Sequence, residues 1–418
     1  MTAASTTPRG GISRRRSQAY GVLYLAIAAV ILMVFGGVES GAQTTFGLNV
    51  GSGAKVSDLV VPSAGTAYLL AAMAAMAGAI QLIRGFGTRW AIVLIGVICL
   101  FSFAFLTWAG SGGSMNLAGI LQATLQRSVP ITFGAMSGIL CERSGVVNIA
   151  IEGMLLSGAF ASAVVASATA NHWIGMVAAI VVGGLLAALL AVLAIRYLVD
   201  QIIAGVVINI LITGITSFLS TRVLTPFPKL NMPERFGPID IPFLSDLPVI
   251  GGILFRQNLF IYLCVAAMII LNYMLFSTRW GLRVRAVGEH PMAADTVGIS
   301  VFHVRYRNVI LGGMLAGLGG AYFTLGSTGG FEQQMTAGRG FIGLAAMIFG
   351  GWAPFGAFGA GIVFGFADAI QTRLSILNIG VAPQFMQMVP YLVTVIVVSG
   401  LVGRVRAPAA DGRPYKKE

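Results

Sequence analysis

A chain of 418 residues that is 57% hydrophobic and only 10% charged, with 55 glycines, is not an ordinary soluble protein, in which about 25% of residues are charged. Its net charge of +12 would fit nucleic acid in a soluble fold, but most of the arginines fall in the tails and in alternate short loops, as in a positive-inside membrane protein. None of the four lysines, Lys55, Lys229, Lys416 and Lys417, stands in the GxxxxGK[ST] setting that cradles phosphates, which excludes ATP hydrolysis by a P-loop.

The N-terminal "RGGISRRR" precedes an apolar run that extends to about Phe35 without a small-residue cleavage site, so residues 1–19 read as a basic cytoplasmic tail ahead of a retained first helix. Apolar windows of about 20 residues, the length that crosses a hydrocarbon core of about 30 Å, then predict spans near 20–37, 64–83, 90–108, 117–140, 149–170, 173–195, 202–222, 258–276 and 309–327. A short one at 341–351 and two more near 355–373 and 385–403 follow. The fold class is an all-α polytopic membrane protein with eleven or twelve transmembrane helices. Placing Arg9, Arg14, Arg15 and Arg16 in the cytoplasm puts Arg84, Arg89, Arg143, Arg196, the arginines of 277–308 and the basic residues of 404–417 on that side too, provided 341–351 crosses. Both termini are then cytoplasmic.

Residues 20–112 read as an added N-terminal transmembrane segment, 113–405 as the core and 406–418 as a polar, mobile cytoplasmic tail. The outer stretch 223–257, with Pro226, Pro228, Pro233, Pro238, Pro242 and Pro248, is expected to be an ordered cap or docking surface that is not helical. The inner stretch 277–308 is the only long cytoplasmic loop, and the place for a soluble partner. Cys99, Cys141 and Cys264 lie in or beside apolar runs and read as buried, inert thiols; His172, His290 and His303 are dispersed. Neither a disulfide framework nor a metal centre follows from such spacing.

Among the apolar runs, "CERSGVVNIAIEGM" (141–154) gathers Glu142, Arg143, Asn148 and Glu152. One reading is structural: Asn148 caps a helix beginning near Ile149, Glu152 sits at its positive dipole end, and Glu142 with Arg143 is a boundary pair. The other is a translocation path, because polar groups at bilayer depth face protein or a water-filled route, and discontinuous helices often build transport sites. Gln122 and Gln126 share a face of the 117–140 span, and Arg127 and Asp368 are a candidate ion pair with Gln371 close by. Asn209 is either interhelical glue or a ligand contact. The glycine-rich "GGFEQQMTAGRG" brings Phe331, Glu332, Gln333 and Arg339 to the outer mouth, as a gate, a receptor for a binding protein or a plain flexible loop. In the inner loop Pro291 opens a short helix, Ala293 and Ala294 permit close packing and Gly298 ends it, which suits either a partner's groove or a solvated amphipathic loop.

"GEHPMAADTVGI" (288–299) resembles the EAA-type loop of ABC importer permeases, the element that docks on the ATPase subunit. With "CERSGVVNIAIEGMLLSGAF" and "TAGRGFIGLAAMIFGGWAPFGAFGAGIVFGFADAIQTRL", the chain over 117–415 resembles the branched-chain amino acid and simple-sugar permease superfamily, and more closely its nucleoside-importing branch. The resemblance implies a permease core with discontinuous helices in the inner membrane, with no covalent chemistry, enzyme activity or cofactor on this chain. A separate ATPase would carry ATP and Mg, dock on Gly288, Glu289, His290, Pro291, Ala293, Ala294, Asp295 and Gly298, and switch two unlike permease subunits between outward-open and inward-open states. An extracytoplasmic substrate-binding lipoprotein would deliver the nucleoside; neighbouring branches carry simple sugars such as ribose, or branched-chain amino acids. The partners are then these proteins and membrane lipids, not nucleic acid. Asn148, Glu152, Asn209, Asp368 and Gln371 are the polar candidates for the substrate pathway, and Phe133 and Phe160 those for stacking a base. The segment 1–112 departs from the family pattern. The rival readings are an ion-coupled secondary transporter in which Glu152 or Asp368 titrates, and a membrane enzyme or sensor subunit with no transport role, against whose enzyme form the lack of a catalytic constellation in the sequence argues.

Overall fold

Helix α1 (Arg14–Val30) takes in the arginines ahead of the first apolar run, so helix is present earlier than the apolar pattern predicts. The structure is a computed structural model that describes residues 14–39, 41–50, 55–377, 388 and 406–417, and its chain divides into two units, Met1–Gly119 and Ile120–Glu418. In the first unit α1 is followed by β1 (Gln43–Gly47), β2 (Leu59–Pro62), α2 (Ser63–Ile83), α3 (Trp90–Ala109) and β3 (Ser114–Asn116). Between the first two expected spans the chain forms a hairpin: β1 pairs antiparallel with β2 (Thr44 opposite Val61) and parallel with β3 (Phe46 opposite Met115). Inward-facing Thr44 bonds the Ser63 hydroxyl and donates to the Thr107 carbonyl, both at 2.8 Å, which ties the sheet to α2 and α3. Tyr24, Ile31, Phe35, Leu70 and Val97 form this unit's own core, with the Phe35 ring 5.5 Å from both Phe101 and Trp108.

The second unit contains α4 (Leu117–Glu142), α5 (Ile151–Thr169), α6 (His172–Ala191), α7 (Gln201–Leu219), β4 (Pro238–Asp240), β5 (Arg256–Asn258), α8 (Leu259–Ser277), α9 (Arg279–Glu289), α10 (Pro291–Thr296), α11 (Val301–Ala321), α12 (Arg339–Phe349) and α13 (Pro354–Leu377). Side chains that accept from free first-turn N–H groups start several of these helices: Asn171 for α6, Asp200 for α7, Asn258 for α8 and Thr278 for α9. At the centre α5, α6 and α11 pack backbone to backbone. A Cβ at Gly317 of α11 would run into the Ala179 carbonyl of α6, and one at Gly158 of α5 would lie 2.5 Å from the Gly317 carbonyl. In a bilayer, where burial of apolar surface does not drive helices together, this close fit supplies the association.

Among the described residues nine helices are long and apolar enough to cross a membrane. α4, at 26 residues, has the length as well but carries Gln122, Gln126 and Arg127; the first two donate to the Gly252 carbonyl (3.5 Å) and Gln257 Oε1 (3.3 Å). The span expected at 385–403 lies outside the described residues except for Met388. The short span at 341–351 is α12, whose 11 residues reach about 16 Å, half of what a bilayer needs.

Three expectations are corrected. The 277–308 "loop" is mostly helix, because α11 starts at Val301, takes Arg305 into the protein and continues through a wider π turn to Thr328. Residues 406–417 are docked on the protein, not a mobile tail. Cys141 and Cys264 are buried as expected, whereas Cys99 is exposed. The proline-rich 223–257 stretch is ordered, with a 3-10 turn (Pro228–Asn231) and the β4–β5 hairpin, Ile239 opposite Gln257.

Candidate functional site

Residues 143–150 leave the helical path between α4 and α5, and their polar groups are bound locally. Asn148 is wholly buried, accepts from the Ala150 N–H (3.0 Å) and points its amide at Cys141 Sγ (3.5 Å) and Met154 Sδ (3.6 Å). Because α5 starts at Ile151, not near Ile149, Asn148 closes a turn ahead of the helix and does not cap it. The start of α5 is held from α7: Asn209 accepts from the Gly153 N–H and donates to the Ile149 carbonyl, each at 2.8 Å. Asn209 thereby satisfies a first-turn donor that the helix itself cannot.

Glu152, in the first turn of α5, reaches across to the start of α12. Its carboxylate accepts from the Thr336 hydroxyl (2.6 Å), the Gly338 N–H (2.8 Å) and the Gly340 N–H (2.6 Å). Gly338, with φ +79°, is the residue that opens α12, so a carboxylate borrowed from another helix does the capping and sits at the positive end of the α12 dipole. A Cβ on Gly340 would lie 2.6 Å from the Glu152 backbone, which is why the two helix starts approach only over glycine.

The next residue of this network is Arg339, first in α12. Its Nη2 meets Asp368 Oδ2 of α13 at 2.9 Å, and Arg127 Nη1 of α4 meets the same oxygen at 3.0 Å. The ion pair expected between Arg127 and Asp368 is present as a triad, and Arg339 belongs to it. Its guanidinium also lies over the Phe323 ring, 5.7 Å from the centroid.

Phe331 is buried with its ring edge-on to Phe160 at 5.1 Å, and Asn231 clamps its backbone by accepting from its N–H (2.6 Å) and donating to its carbonyl (2.9 Å). Glu332 and Gln333 are exposed, and Gln333 donates to Thr221 Oγ1 at 3.2 Å. Phe133 is wholly buried and packs into the space that Gly319 leaves open.

Glu142 and Arg143 do not pair with each other. Both hold the turn between α12 and α13: Trp352 Nε1 donates to Glu142 Oε2 at 2.6 Å, and Arg143 donates to the carbonyls of Trp352 (3.1 Å) and Gly351 (3.3 Å). Burial lowers the Arg143 guanidinium from its ordinary value, against the opposing charge of Glu289. Gly288, at the end of α9, abuts the Arg143 carbonyl so closely that a Cβ there has no room.

The structure thus gathers Asn148, Glu152 and Asn209 around the start of α5, joins Glu152 to α12, and joins α12 to Asp368; Gln371 follows one turn along α13. Sequence reasoning missed Thr336, Gly338 and Gly340, although small and hydroxyl residues ahead of an apolar run are a helix-start signal. Asn231 carried no such signal. The two carboxylates that ion coupling would need are committed, Glu152 to three donors and Asp368 to two arginines. In the inner segment α10 runs Pro291–Thr296 with His290 Nδ1 accepting from the Ala293 N–H (3.4 Å) and Gly298 at φ +83° beyond it. Ala294 is buried, whereas Met292 and Ala293 are exposed. No group of three or more metal-ligating side chains occurs among the described residues.

Residues 120–398 match the family described as branched-chain amino acid transport system permease component, a match that begins where the second unit begins. The chain is 38% identical over 310 residues to the guanosine ABC transporter permease protein NupQ of Bacillus subtilis, covering 72% of this chain and 97% of that one. It is 38% identical over 316 residues to the nucleoside ABC transporter permease protein NupC of Lactococcus lactis, covering 72% and 99%. A second Bacillus subtilis protein, the guanosine ABC transporter permease protein NupP, is 26% identical over 282 residues, 65% of this chain and 78% of that one. No solved structure matches. The family match spans most of the second unit and the identity runs nearly the full length of those permeases, so the chain belongs to the family of branched-chain amino acid transport system permease components.

Proposed function

We propose that this chain is the membrane-spanning permease subunit of an ATP-driven ABC importer of nucleosides. The observation that carries the reading is its 38% identity over 97% and 99% of two permeases named for guanosine and for nucleosides. The role is transport without covalent chemistry. A partner ATPase binds ATP and Mg and seats on α10; a substrate-binding lipoprotein feeds the opposite end. The second permease subunit is a different chain, a reading supported by the two distinct guanosine permeases of Bacillus subtilis that this chain matches. The α9–α10 end and both termini face the cytoplasm of the cell membrane, and the 223–257 stretch faces out.

The geometry supplies a contiguous route for the stroke. Movement of α10 is passed by α9 at Gly288 to the Arg143 backbone, by Glu142 and Arg143 to the Trp352 turn, and by that turn to α12. At its far end α12 carries the Glu152 cap and the Arg339–Asp368–Arg127 triad. We infer that this half-length helix, held at both ends by polar contacts, moves between two positions during transport and so changes access between the two ends. Asn148, Glu152, Asn209, Phe160, Asp368 and Gln371 are proposed to lie along the pathway, with Phe331, Glu332 and Gln333 at its outer gate.

Uptake of labelled guanosine and uridine by cells with and without the gene tests the reading. Loss on deletion, competed by unlabelled nucleosides and not by ribose or leucine, is the expected result. Uptake that persists without any partner ATPase and collapses with a protonophore while ATP is maintained would refute ATP coupling.

A further inference from the structure

The segment 406–417 lies across the α9–α10 corner. Pro408, Ala410 and Tyr415 are turned in, while Ala407, Ala409, Arg413 and Lys416 are exposed. Separate contacts hold it along its length. The Ala410 N–H donates to the Gly288 carbonyl at 2.9 Å, and the Ala409 N–H to Glu289 Oε2 at 3.3 Å. Arg305, only 2% exposed in the first turns of α11, donates from Nη1 to the Arg413 carbonyl at 3.1 Å. The Tyr415 ring is buried among Val287 of α9, Ala294 of α10 and Val301 of α11, 5.4 Å from the Phe302 ring. Lys417 reaches Asp295 of α10 at 3.4 Å, and the Asp411 carboxyl meets that of Glu142.

A helix of six residues does not hold itself together in water, since isolated helices below about 12 residues are marginal. Its fixed pose comes from what Ala294 packs on. One wall of that socket is Tyr415, and the Lys417–Asp295 contact closes over it. The face away from the socket presents Met292 and Val297, 57% and 75% exposed.

We propose that residues 406–417 are a clasp that sets the pose of α10, so that engagement of the ATPase depends on a segment more than a hundred residues away along the chain. The inference rests on the reading above that α10 is the ATPase-docking element. Tyr415 acts as a positioning residue, through Ala294 and not by contact with substrate.

The test uses the assembled complex and three variants: a chain ending before Arg406, Tyr415→Ala and Tyr415→Phe. Hydrogen exchange of the α10 amides and co-purification of the ATPase that accompanies the wild-type chain are both read. For Tyr415→Ala the expected result is normal insertion, exchange in α10 faster by about tenfold or more, and a several-fold loss of ATPase; the shortened chain shows more of the same. Tyr415→Phe, which keeps the ring, restores both readouts. Unchanged exchange in α10 overturns the clasp, and so does faster exchange with undiminished ATPase association. If the shortened chain does not insert, Tyr415→Ala decides. A wild-type chain that holds no ATPase would instead count against the proposed function, and exchange in α10 would still report on the clasp.

Discussion

Glu152 serves three donors with two oxygens, and each donor is left unpaired if the carboxylate is removed. Glu152→Ala is therefore expected to destabilise the protein by about 3–5 kcal/mol, and Glu152→Gln by about 1–3 kcal/mol because its amide turns an N–H at a former donor. Thermal unfolding of the purified protein in detergent measures both, and equal melting temperatures for all three would show that the cap does not matter. A second residue-scale expectation concerns Asp411. Burial pushes its carboxyl up from the usual range, and the hydrogen bonds from Glu142 and the Gly412 backbone and then the Arg305 charge oppose that rise. Glu289 accepts from the Ala409 N–H of the same segment, and its charge faces that of Arg143. A carboxyl raised in the docked state favours docking most below its free value of about 4, and that contribution is lost as pH climbs through the raised one. Segment 406–417 should accordingly be cleaved faster by an added protease at pH 8 than at pH 5, after correction for the protease's own pH dependence. The opposite order would mean that Arg305 outweighs burial.

At the scale of elements, α10 and α12 are short, and each takes its position from other parts of the chain. Adjacent residues Ala293 and Ala294 should consequently behave differently, one being exposed and the other buried. Ala293→Arg is expected to block ATPase association while leaving α10 seated, whereas Ala294→Arg should unseat α10 by forcing a charge among Val287, Val301 and Tyr415. Hydrogen exchange in 290–298 separates the two. For α12 the sensitive point is Gly340, where a Cβ meets the Glu152 backbone at 2.6 Å. Gly340→Ala must push α12 off its cap, and uptake is expected to fall by about tenfold or more, the effect of about 1.4 kcal/mol or more, with insertion retained. Both elements were visible in the sequence as short apolar or proline-led runs. What holds them in place was not, because the cap of α12 comes from α5, the partner of its Arg339 from α13, and the wall on which α10 packs from the C-terminal segment.

On the scale of the whole molecule the chain divides into two units, Met1–Gly119 and Ile120–Glu418, each with a buried cluster of its own among the described residues. The buried clusters of the first draw on residues 20–108, and those of the second on 125–364, 141–344 and 286–415. The family match begins at residue 120. A chain shortened to begin at residue 117 is therefore expected to insert and to keep about half or more of the wild-type uptake, as an independently cored domain should. Complete loss of uptake with normal insertion would give the first unit a part in transport.

What the sequence determined by itself is what depends on composition and local pattern. The apolar runs set an all-helical membrane protein, and Pro291 with Gly298 marked α10 to within a residue or two. The Arg127–Asp368 pair was also legible, because charges inside apolar runs need partners. Tertiary structure alone decided which partner each polar group takes. Nothing local to Glu152 says that it caps α12, nothing local to Glu142 and Arg143 says that they hold the Trp352 turn, and nothing in a polar C-terminus says that it docks. The reason is physical. Helical and apolar periodicities are properties of neighbouring residues, whereas a hydrogen bond inside a membrane protein is made to whichever donor the packing of distant glycine-lined helices brings within 3 Å.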